Sequence, residues 1–136
     1  MNAMAMKTDT ARASLLRRAL LADIVVTGSA GLLLALAAGP LGDLLDLPVA
    51  LLRVAGVFLL PYTAFVAYVA TRPNIPRRGA WAIVGLNLLW AVASLLLLVT
   101  GWVDPSGLGI AFVVAQALIV AGFADVQYLG LRRSNG

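Results

Sequence analysis

The run from Trp81 to Trp102 contains no charged residue. The hydrocarbon core of a bilayer is roughly 30 Å thick and a helix rises roughly 1.5 Å per residue, so about 20 such residues cross it. Trp81 and Trp102 stand where the interfacial aromatic belts of a spanning helix lie. Three comparable apolar stretches accompany this one. Spans are expected at about residues 19–38, 49–71, 80–101 and 108–129, without an extramembrane domain.

Composition supports that reading. The chain has 136 residues, 62% of them hydrophobic and 12% charged. Soluble domains carry about a quarter charged residues, so little polar surface is available here to cover a water-soluble globule. Strand alternation is absent, which disfavours a β-barrel. The expected class is an all-α polytopic integral membrane protein, an antiparallel four-helix transmembrane bundle in one domain.

The residues at the span ends order the threading. Lys7, Arg12, Arg17, Arg18, Arg72, Arg77, Arg78, Arg132 and Arg133 fall on one side, and Asp43, Asp46 and Asp104 on the other. Arginine-rich loops stay in the cytoplasm, so both termini and the 72–79 loop are expected there. The net charge of +4 is therefore read as a topology signal facing phospholipid, and no nucleic-acid partner is expected. A signal peptide ending near Ala35–Ala37 is the competing reading for the first span. Its apolar run is too long for one, and Asp23 lies inside it. Arginine exceeds lysine, and Ala, Leu and Gly abound. Such usage fits a GC-rich genome and a bacterial cytoplasmic (inner) membrane.

Breakers punctuate the chain. Met1 to Thr10 is expected to be disordered, with Asp9 or Thr10 capping the first helix. Gly39 to Pro48 reads as a loop, Pro61 as a kink in the second span, and Asp104 to Gly107 as a tight turn. Tyr68–Arg72 resembles Tyr128–Arg132 at a spacing of 60, and Asp23 pairs with Asn87 at 64. The chain therefore also reads as two parallel-repeat helical hairpins, against the alternative that belts and topology alone created the likeness.

Polar residues within the spans are the candidate site. Asp23 and Asp125 lie roughly 6 Å inside their spans, and Asn87 about 10 Å. With Tyr68 they form a candidate polar layer on the cytoplasmic half. Ionisable groups at that depth face a helix interior or a water-filled cavity. Asp23, Thr27, Gly31 and Ala35 share one helical face, as do Leu118, Ala121, Gly122 and Asp125. Two readings stay open. The layer is a binding site for a solute or proton, or it is a clamp in which the carboxylates accept from Asn87, Tyr68, Arg17 or Arg18. On the far side, Arg53 is expected to pair with Asp46 or Asp43, or to reach the headgroups. Gln116 is expected to bond across a dimer interface or to the second helix, and Pro61–Tyr62–Thr63 to act as a hinge or a static kink.

The chain contains no Cys and no His, and Asp is its only acidic residue type. Thiolate, histidine and Cys/His metal chemistry are thereby absent from the repertoire. No enzyme activity, cofactor or metal is expected. The expected role is a structural or accessory helix-bundle subunit, oligomeric or attached to a larger membrane partner. The alternative is a small solute- or proton-coupled transporter or channel built on the polar layer.

Overall fold

A computed structural model describes the backbone of residues 3–133 and the side chains of residues 14–132. Every regular element among these residues is helical: α1 (Ala3–Leu36), α2 (Ala38–Leu45), α3 (Val49–Ala70), α4 (Arg77–Thr100) and α5 (Gly107–Arg133). Four stretches are long and apolar enough to cross a membrane: Ser14–Leu36, Val49–Ala70, Arg77–Thr100 and Gly107–Arg132. Their outward faces carry Val25, Leu36, Leu89 and Val99, all exposed. Outward apolar side chains of this kind suit hydrocarbon as solvent, and the chain is a multi-pass membrane protein by this criterion.

The helix ends follow local chemistry. α1 is already helical at Ala3, so Asp9 and Thr10 lie within it and not at its cap. Ala3–Thr10 contains no Gly or Pro, and Met, Ala and Lys propagate a helix readily. Met1 and Asn2, together with the side chains of Lys7, Arg12 and Arg133, lie outside the described residues. The expected 39–48 loop is largely the short helix α2. Pro40 falls in its first turn, where its missing N–H costs no hydrogen bond. Asp46 closes α2 in the left-handed region at φ 54°, a conformation that Asp tolerates better than most residues. Pro48 and Pro76 immediately precede α3 and α4. α4 therefore starts at Arg77, earlier than the apolar run alone indicated. Pro61 sits inside α3 and removes one donor from its ladder.

α1 packs most closely on α3, α4 on α5, and α1 next on α5, whereas the backbones of α3 and α4 approach at few points. The α1–α3 crossing depends on Gly56. A Cβ there would fall 2.5 Å from Ala35 N and 2.7 Å from Gly31 O. Small residues let backbones approach in lipid, where packing contacts replace hydrophobic exclusion as the driving force. α5 is tied to α2 in a similar way. Ser106 N–H donates to Leu45 O at 3.0 Å, the Ser106 hydroxyl donates to Leu44 O at 3.2 Å, and its oxygen accepts from Gly109 N–H at 3.1 Å.

Two apolar clusters flank the middle of the molecule. One joins Leu16 and Leu20 of α1 to Val66 and Val69 of α3, Ile83 of α4 and Leu131 of α5. The other joins Leu34, Leu45, Leu52, Leu59 and Val113. Between them lies a polar node.

Candidate functional site

Asp23 is the centre of that node and is 1% exposed. Its carboxylate accepts from all four spans. Thr27, one turn along α1, donates to Oδ1 at 2.6 Å. Tyr62 of α3 donates to Oδ2 at 3.0 Å. Asn87 Nδ2 of α4 donates to the same oxygen at 3.1 Å, and Gln127 Nε2 of α5 does so at 3.0 Å. Asn87 Nδ2 also donates to Gln127 Oε1 at 3.0 Å. The Tyr62 hydroxyl lies 2.7 Å from Asn87 Oδ1 as well.

Each position has a local cause. Asp23 and Thr27 share a helical face at i, i+4. Gln127 lies on the same face of α5 as Ala124 and Leu131, all buried. Asn87 lies one turn from Ile83 and Ala91 on the buried face of α4. Among the described residues, no buried side-chain nitrogen or oxygen lacks a partner. An ionised carboxylate offers about four lone-pair sites, and four donors surround this one. No ion pair reaches Asp23 among the described residues, and the groups that donate to it are neutral dipoles.

Of the residues singled out from sequence, Asp23 and Asn87 come together here. Asp125 and Tyr68 do not. Asp125 is exposed on the opposite face of α5 from Gln127. Tyr68 is exposed at the end of α3, where the Arg72 guanidinium lies 4.6 Å over its ring. Tyr62 and Gln127 take their places. In the sequence Tyr62 reads only as part of a hinge or static kink beside Pro61, and no motif singles out Gln127. Its spacing from Ala124 and Leu131 is the signal that marks it.

The arginines are engaged elsewhere. Arg17 donates to the carbonyls of Ala70, Arg72 and Pro73, capping the C-terminal end of α3 in place of Asp23. Arg18 is exposed. Arg77 donates to Leu131 O at 3.2 Å. On the far side Arg53, Asp43 and Asp46 are all exposed, and no ion pair joins them among the described residues. An Asp46 that caps α2 through its backbone is not thereby held near Arg53.

A second polar link lies deeper. Trp90 Nε1–H donates to Gln116 Oε1 at 2.9 Å, and the Trp90 ring stacks on Phe58 with centroids 6.1 Å apart. Gln116 therefore bonds to the third span, whereas the sequence points to the second helix or a dimer interface. Trp81 and Tyr128 meet edge to face at 5.6 Å, joining α4 to α5 near the end where Arg17 and Arg77 lie. No group of three or more metal-ligating side chains occurs among the described residues.

In chemical terms the node is a closed set of hydrogen bonds around one carboxylate. No protein family model, curated protein or solved structure matches the chain.

Proposed function

We propose that this chain is a non-enzymatic structural or accessory subunit of a membrane. In this reading its four spans form an antiparallel bundle, pinned at Asp23 and oligomeric or bound to a larger partner through its outward faces. The single observation that carries the reading is the completeness of the node. Every buried nitrogen and oxygen of its side chains has a partner within the described residues, so it holds helices together. Buried polar networks with every member paired rigidify and specify an arrangement.

Antiparallel threading is supported by the two apolar clusters, since Leu16 lies with Val69 and Leu131 while Leu34 lies with Leu52 and Val113. The hairpin repeat draws support from the close α1–α3 and α4–α5 pairs and from the direct Asp23–Asn87 bond. The unequal α1–α5 and α3–α4 packing counts against a full two-fold. The arginine-rich side is proposed to face the cytoplasm of a bacterial cell.

The test is flux in proteoliposomes combined with melting in detergent. A clamp gives no solute or proton flux beyond that of protein-free vesicles, and Asp23→Leu lowers the melting temperature. A flux abolished by Asp23→Asn, without loss of stability, would instead favour the transporter reading.

A further inference from the structure

The geometry points to a proton-binding site at Asp23 whose occupancy decides whether Tyr62 ties α3 to α1 alone or to both α1 and α4. The inference rests on the clamp reading and concerns the same residues. Tyr62 has one hydroxyl proton and two acceptors within reach, Asp23 Oδ2 at 3.0 Å and Asn87 Oδ1 at 2.7 Å. It cannot serve both fully.

With Asp23 ionised, its oxygens take donors from Thr27, Asn87, Gln127 and Tyr62, filling about four acceptor sites. Asn87 Oδ1 then loses the tyrosine proton. With Asp23 protonated on Oδ2, the acid proton runs to the Tyr62 oxygen across the same 3.0 Å, and the tyrosine proton turns to Asn87. One proton arrives from bulk water and returns there, one hydroxyl rotates, and the Asn87 and Gln127 N–H bonds to Oδ2 weaken as that oxygen becomes an acid hydroxyl.

The consequence falls on the loosest seam of the molecule. The backbones of α3 and α4 approach at few points, and beside the Phe58–Trp90 stack and the Val66–Val69–Ile83 packing, Tyr62–Asn87 is their sole side-chain hydrogen bond among the described residues. Protonation therefore closes the α3–α4 seam, and ionisation releases it toward α1. Neighbouring ionisable groups leave the switch to Asp23. From α1, Arg17 is held on the carbonyls of Ala70, Arg72 and Pro73, and Arg18 is exposed. From α3 only Tyr62 faces the carboxylate. α4 contributes Asn87, with Arg77 and Arg78 at the far start of that helix. α5 contributes Gln127, while Asp125 and Tyr128 are exposed.

The chain has no cysteine, so Val54→Cys with Ala93→Cys places two spin labels cleanly on exposed sites. Each site lies about one turn from the Phe58–Trp90 stack. In nanodiscs, the inter-label distance is expected to shorten as pH falls. Asp23→Asn should hold it constant at all pH, and Tyr62→Phe should abolish the response. Infrared difference spectra at low minus high pH should show a carboxylic C=O band that Asp23→Asn removes. A pH-invariant distance in the folded parent, or an unchanged response in Asp23→Asn, overturns the proposal. If Asp23→Leu still lowers the melting temperature in that case, the clamp stands and the proton site alone fails. If Asp23→Leu melts like the parent, the clamp itself fails.

Discussion

Asp23 and Gln127 lie 104 positions apart and are joined by a 3.0 Å hydrogen bond, with neither side chain appreciably exposed. The bond links the first span to the last. With Tyr62 and Asn87 it makes a single carboxylate the meeting point of all four apolar helices.

Removing that meeting point strands several donors at once. Asp23→Leu takes the acceptor from Thr27 and Gln127, while Tyr62 keeps only Asn87 Oδ1 and Asn87 only Gln127 Oε1. Interhelical hydrogen bonds in membranes average about 0.6 kcal/mol, so the three that reach Asp23 from α3, α4 and α5 predict a loss of about 2 kcal/mol. Asp23→Asn keeps part of the set and should cost roughly half as much. Equilibrium unfolding in mixed micelles measures both. A Leu variant as stable as the parent would refute the assignment.

Gln127→Leu should cost about 1 kcal/mol, because it unpairs Asn87 and Asp23 together. Asp125→Asn and Tyr68→Phe should stay within about 0.5 kcal/mol of the parent, as exposed substitutions usually do. Melting the three variants side by side separates the node from the polar residues beside it. Equal losses in all three would contradict the arrangement of α5.

Gly56→Val drives a branched side chain into the backbone of α1 at Gly31 and Ala35. Overpacking of a tight contact costs about 1–3 kcal/mol. Gly122→Ala meets open space and should be neutral. Thermal denaturation of the pair tests whether α1 and α3 cross at Gly56.

Trp90→Phe and Gln116→Leu each break the same 2.9 Å bond. Their stability losses should be about 0.6 kcal/mol each and should not add in the double variant. Additive losses would show that the two side chains do not meet.

Orientation has its own measurement. A carboxyl-terminal reporter active only outside the cell is expected to remain dark, because eight arginines cluster at the two ends of the chain and in residues 72–78. A bright reporter inverts the proposed threading.

The membrane class and the four spans could be read from the chain alone, because transfer into hydrocarbon is a local property, nearly additive over about 20 consecutive residues. Asp23 and Asn87 could be read as inward-facing for the same reason, since lipid penalises them wherever they sit. The partners could not. Both faces of the last helix carry small residues and polar side chains, Asp125 on one and Gln116 and Gln127 on the other. Which face turns inward depends on how that helix rotates against α1 and α4, a choice made by contacts such as Leu16 against Gly130 and Ile83 against Leu131. Likewise Pro61 announced a disturbed backbone, but only the packing of α3 on α1 at Gly56 brings Tyr62 onto Asp23. Solvent preference is written residue by residue, whereas helix rotation is settled jointly by side chains far apart in the chain.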